Sequence, residues 1–154
     1  GSEMCIRDRM MKKELFPLAE VLTPNIPEAE VLTGKKIQTR EEMEQAAEQL
    51  SREYGTAIVL KGGHAKTDAN DLLYENGKSI WIEGERMVNP NTHGTGCTLS
   101  SAIACGLAKG YSVAQSISYA KSYLSGALSS GLDLGRGSGP IDHGWQIQEN
   151  VRSL

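Results

Sequence analysis

Apolar residues recur along this chain at distinct spacings, and each spacing predicts an element. Met43, Ala46, Ala47, Leu50 and Tyr54 share one face at helical spacing; Thr39 and Glu42 form a capping box ahead of them and Gly55 stands behind, so an amphipathic helix is expected between. Thr56–Lys61 (TAIVLK) is instead a short, nearly unbroken apolar run between that helix and Gly62-Gly63, the pattern of a strand buried on both faces in a parallel sheet. Asp71–Tyr74 and Lys78–Ile82 flank Asn76-Gly77, which predicts an antiparallel hairpin and hence a mixed sheet.

Weaker signals fill in the rest. Asn25-Ile26-Pro27-Glu28 opens a short helix that runs to about Thr33 and stops at Gly34. Met11–Ala19 reads as the end of a helix stopped near Pro17, with an extended run at Glu20–Thr23 after it. Beyond Asn89-Pro90-Asn91, Thr92–Cys97 leads into a helix over Thr98–Lys109, where Leu99, Ile103 and Leu107 share a face and many small residues favour close packing. Ser112 and Gln115 cap the next helix, in which Val113, Ile117, Ala120, Leu124 and Leu128 recur to about Ser130. Gly131–Gly139 is glycine-rich, and the tail from Ile141 is expected to dock through Trp145 and Ile147. Alternating strands and helices give an α/β class. Gly1–Arg9 follows neither period and begins like a tag scar, so residues 1–10 are set apart as a leader and 11–154 taken as the folded portion.

Composition narrows the options without choosing among them. The 154 residues suffice for one domain, and 39% apolar with 23% charged residues is a globular balance. Sixteen basic against nineteen acidic side chains, with no basic block, give no reason to expect nucleic acid as a partner. No apolar run approaches the ~18–20 residues that cross a bilayer, so a cytoplasmic protein is expected and a membrane is not. Cys97 and Cys105 stand eight residues apart in one predicted helix, about 12 Å along its axis, too far for a disulfide. With Cys5 the third cysteine, no disulfide framework emerges, and reduced thiols suit the cytosol. His64, His93 and Cys97 match no zinc spacing.

The segment richest in chemistry is Gly94-Thr95-Gly96-Cys97, at a helix start. Glycines allow a backbone to turn sharply and approach a ligand; first-turn amides lack intrahelical partners and point outward at the positive end of the helix dipole. Such a terminus holds an anion or a developing negative charge, and Cys97 inside it is placed where a thiolate is favoured. The plainer alternatives are a loop that needs two glycines to enter a helix, and a cysteine that is a small buried hydrophobe, as Cys105 is expected to be.

The string NTHGTGCTLSSAIA (Asn91–Ala104) resembles the anion-hole motif of hydroxymethylpyrimidine/phosphomethylpyrimidine kinases of the ribokinase-like superfamily. TPNIPEAEVLTG (Thr23–Gly34), VLKGGH (Val59–His64) and AKSYLSGAL (Ala120–Leu128) resemble other segments of that family in the same order. The resemblance implies the C-terminal part of a three-layer α/β/α fold with a mixed, mainly parallel sheet. It implies transfer of the ATP γ-phosphoryl group to 4-amino-5-hydroxymethyl-2-methylpyrimidine, then to its monophosphate, in thiamine biosynthesis. Gly94, Thr95 and Gly96 would cradle the phosphoryl group, and Cys97 would stand where most of the superfamily carries an aspartate base. Asn25 and Glu28 would help hold Mg2+, although the same pair already explains itself as a helix cap. Lys61, Gly62, Gly63 and Lys121 would serve the nucleotide, against the plainer readings of solvated lysines and a turn. His143, in Gly-Pro-Ile-Asp-His, matches a family feature with no role that the sequence supplies.

The resemblance runs from about Met11 to Trp145 and covers only the C-terminal part of the family's length. The absent half would supply several parallel strands and most contacts to the pyrimidine. A sheet without those neighbours is expected to associate, with a second copy or with the missing half, and the fragment alone is expected to be inactive. The unmatched leader fits an incomplete reading frame, an engineered truncation or a natural split. Three other readings stand beside this one: a pyridoxal or pyridoxine kinase of the same superfamily, a non-catalytic nucleotide-binding module, and a truncation product that does not fold.

Overall fold

Local caps and turns set the ends of nearly every element. The structure, a computed structural model, describes residues 9–62, 70–83, 94–130 and 140–147. Gly63, His64, His93, the stretch 131–139 and most of the leader lie outside the described residues. The chain divides into two compact units, Gly1–Arg86 and Met87–Leu154.

In the first unit a π-helical turn, Met11–Leu15, passes into a 3-10 turn, Phe16–Leu18, with Pro17 in its opening positions. Strand β1 (Val21–Leu22) follows. Helix α1 (Ile26–Thr33) starts at an Asn25 capping box and ends at Gly34; α2 (Arg40–Tyr54) starts at a Thr39 capping box and ends at Gly55. Then come β2 (Ala57–Leu60), β3 (Asp71–Glu75) and β4 (Lys78–Ile82). Asn76 and Gly77 both take positive φ, 52° and 76°. Two left-handed residues in succession make the tight turn whose twist matches that of the flanking strands.

The four strands lie in the order β1-β2-β3-β4. The first pair is parallel, Val21 opposite Ala57, and the other two pairs are antiparallel. The expected mixture is present, but among the described strands it leans antiparallel. The two-residue turn between β3 and β4 forces those strands to run in opposite directions, and among the described strands β1 provides the one parallel ladder. All five stripe residues of α2 are buried, and with Ile58, Leu60 and Leu72 they form the core of this unit. Every residue of β2 is buried, as its unbroken apolar run predicts.

Two helices form the body of the second unit, α3 (Thr95–Ala108) and α4 (Val113–Ser129, capped by Ser112). Gly106 lets them close: a Cβ there would lie 2.7 Å from the Ser116 hydroxyl. Helix α3 begins three residues before the expected Thr98, because Gly94 in a left-handed conformation turns the chain directly into it. Cys105 is exposed instead of buried. It falls at the margin of the stripe formed by the buried Thr98, Leu99, Ala102, Ile103 and Gly106. Of the two expected tail anchors, Trp145 docks by laying its ring on Gly126, while Ile147 is 70% exposed. No helix among the described residues is long and apolar enough to cross a membrane.

Candidate functional site

The residues singled out in the sequence fall into two sets, one in each unit. In the first, Asn25 and Lys61 are backbone neighbours. The parallel pairing of β1 and β2 ends in a single bridge between them, and the Lys61 N–H donates to the Pro24 carbonyl at 2.9 Å. Both therefore leave the carboxyl ends of adjacent parallel strands, where open α/β sheets take their ligands. Asn25 Oδ1 accepts the Glu28 N–H and Glu28 Oε2 accepts the Asn25 N–H, each at 2.8 Å. The cap reading is therefore correct, and it leaves Glu28 Oε1 outside the capping box. The two residues border a cleft of about 620 Å³ whose walls include Lys12, Phe16, Leu22 and Leu32.

Gly62 has a structural duty. It is buried, its N–H donates to the Asp71 carboxylate at 3.0 Å, and a side chain there would run into the Asn70 carbonyl. Its amide is thus committed to Asp71, a buried acid that sequence reasoning passed over. The only advance sign was an aspartate opening an otherwise apolar strand.

In the second unit, Gly94 sits at φ 85° as the N-cap of α3 and supplies no capping side chain. The first i→i−4 bond of the helix runs from the Thr98 N–H to the Gly94 carbonyl at 2.9 Å. The amides of Thr95, Gly96 and Cys97 lie ahead of that bond, where a helix has no internal acceptors to offer. No acidic residue occupies the first turn. The Thr98 and Ser100 hydroxyls turn back onto the carbonyls of Gly94 and Gly96, at 2.9 and 3.0 Å. The other long helices, α1, α2 and α4, all cap their first turns with a capping box, so this start alone among them has no side-chain cap.

Cys97 is exposed and lines a cleft of about 450 Å³. Ser101 and Cys105 share its wall, Tyr119 and Tyr123 come from α4, and His143 stands at the same cleft. The two tyrosines were not foreseen, since on a helical wheel they read only as surface aromatics. Lys121 is half-buried on α4. Among the described residues no group of three or more His, Cys, Asp or Glu side chains could hold a metal ion.

A family model described as phosphomethylpyrimidine kinase matches residues 6–142. A hydroxymethylpyrimidine/phosphomethylpyrimidine kinase from Streptomyces coelicolor is 43% identical over 139 residues, which cover 90% of this chain and 52% of that protein. The chain thus spans about half the length of that relative. Among solved structures, a pyridoxal kinase from Bacillus subtilis in complex with ADP aligns over 90% of this chain and 53% of its own, with a TM-score of 0.81 and 34% identity. A phosphomethylpyrimidine kinase from Clostridium difficile aligns over 76% of this chain and 46% of its own, with a TM-score of 0.65 and 35% identity.

Proposed function

The chain belongs to the phosphomethylpyrimidine kinase family, with its ribokinase-like α/β fold, and on that premise we propose that the protein carrying it transfers the ATP γ-phosphoryl group to 4-amino-5-hydroxymethyl-2-methylpyrimidine and then to the monophosphate. This is a step of thiamine biosynthesis, and the proposal includes a cytoplasmic setting, where thiols such as Cys97 stay reduced. The observation that carries it is the start of α3: a left-handed Gly94, bare amides at Thr95, Gly96 and Cys97, and a thiol open to a cleft.

Phosphoryl transfer needs alignment and charge neutralisation more than covalent work. The α3 amides would donate to the equatorial oxygens of the group in transit, and the helix dipole would favour the charge gathered there. The thiolate of Cys97 would take the proton from the attacking hydroxymethyl oxygen as the bond to phosphorus forms and the bond to ADP breaks. Lys61 and Lys121 would serve the nucleotide phosphates, and Gly63 with them. Gly62, its amide bonded to Asp71, would not contact phosphate through that amide.

Asn25 and Glu28 suit a hydrated Mg2+ better than a bare one. Each has spent an oxygen on the capping box, so Glu28 Oε1 would reach the ion through its water shell. Bound there, the ion would neutralise charge on the phosphates. Exposed Leu15, Leu18 and Val31 near the first cleft support association, either with the rest of the family fold or with a second copy.

Likeness to pyridoxal kinases supports a second reading, with pyridoxal as the acceptor. Turnover with each acceptor, measured on a protein carrying this chain at the family's full length, separates the two. A higher kcat/KM for hydroxymethylpyrimidine is expected, and preference for pyridoxal would overturn the first reading. ATP binding with transfer to neither acceptor would favour a non-catalytic module.

A further inference from the structure

Resting on that reading, we propose that His143 is a ligand-contacting residue of the Cys97 cleft and that the group it takes is a phosphate oxyanion. The segment around it is anchored at every neighbour. Ile141 and Asp142 are buried, 4% and 9% exposed. Asp142 Oδ1 accepts the Gly144 N–H at 2.9 Å, and the Tyr123 hydroxyl donates to the His143 carbonyl at 2.9 Å. Trp145 is seated on Gly126, with its ring centroid 6.2 Å from that of Tyr123. Amid these anchors the exposed residue is His143, which lines the cleft that Cys97 opens into. Fixing the backbone on both sides of a side chain narrows the positions its ring can take, which is how a binding group is held ready.

The cleft's chemistry selects the ligand. Among the described residues that line it, His143 is the one able to carry positive charge, and none is a carboxylate. Ser101 and Tyr119 add hydroxyls, while that of Tyr123 is spent on the His143 carbonyl. The nearby Lys109 ammonium sits 4.9 Å from the centre of the Tyr119 ring. An imidazole that can donate, with hydroxyl donors beside it and no acid, suits an oxyanion. The bare amides that begin α3 lie at Cys97 itself and offer the same class of donor. Two groups in the proposed reaction have this chemistry: the phosphoryl being transferred, and the phosphate that the monophosphate acceptor already bears.

The test is alkylation of the intact chain by iodoacetamide, following Cys97 and Cys105 separately by peptide mass. It is run in inorganic phosphate and in chloride of equal ionic strength. Phosphate at about ten times its dissociation constant should slow Cys97 by about tenfold, as one-site mass action requires. Chloride should not slow it. With each variant's rate taken relative to its own rate without phosphate, His143→Gln should raise the concentration for half-protection by about tenfold, the effect of losing a charge-assisted hydrogen bond. His143→Lys should restore protection. Equal protection in the wild type and His143→Gln, or none in either, overturns the inference.

Repeating the assay with a non-hydrolysable ATP analogue and with the pyrimidine monophosphate assigns the source. Dependence on His143 in the first arm marks the transferred group, and in the second the acceptor's phosphate; dependence in neither removes His143 from the reaction. Phosphoryl transfer by a protein whose protection ignores His143 sinks this inference and spares the kinase reading. Protection that depends on His143 without any transfer does the reverse.

Discussion

Gly62 and Gly126 are glycines because something else occupies the space a side chain would need. Gly62→Ala would push its methyl into the Asn70 carbonyl and strain the bond to Asp71; Gly126→Ala would displace the Trp145 ring. Each is expected to cost about 1–3 kcal/mol, the range for overpacking a well-filled site, read as a lower denaturation midpoint. Gly126→Ala should also shift Trp145 fluorescence, which Gly62→Ala should leave alone. Neither constraint was legible in the sequence, because each depends on a partner met only after folding. Gly62 reads as half of a turn, and Trp145 gives no sign of which helix it meets. The start of α3 was legible because its chemistry is local: two glycines, a cysteine and a helical run are consecutive, and their conformation follows from their own backbone preferences.

Capping boxes fix α1, α2 and α4 from residues four positions apart or fewer, which is why their starts could be placed from the sequence. Thr39→Ala and Ser112→Ala should each lower stability by about 1 kcal/mol, measured by denaturant unfolding. The connection between α1 and α2 depends on Glu30. The Ile37 N–H, followed by the Lys36 ammonium, holds its carboxyl below the ordinary carboxylate pKa. A carboxyl lowered on folding stabilises the fold above its unfolded pKa, and that contribution is lost as pH falls through the lowered folded value. Hydrogen exchange at the Ile37 amide should therefore quicken relative to its unfolded-chain rate as pH drops through that window, and Glu30→Gln should remove the dependence. An Ile37 amide equally protected across the window would contradict this. Strand β1 was the least legible element, since two residues carry no alternation, and its place beside β2 comes from tertiary pairing.

The α/β class and the mixed sheet followed from periodicity, but the balance of parallel and antiparallel pairing did not, because it depends on which strands lie beside β1. With Leu15, Leu18 and Val31 exposed, the chain alone should self-associate. Sedimentation velocity should show a weight-average mass that rises with concentration; a monomer throughout would contradict it. The central claim is that the start of α3 holds a phosphoryl group beside the Cys97 sulfur, which as thiolate accepts the proton. Its most direct test is the steady-state turnover of hydroxymethylpyrimidine and ATP by a full-length protein carrying this chain, as wild type and Cys97→Ala. A general base supplies roughly 10²–10⁴-fold, so kcat should fall by at least about 10²-fold with ATP binding preserved. Turnover by Cys97→Ala at the wild-type rate would contradict the account.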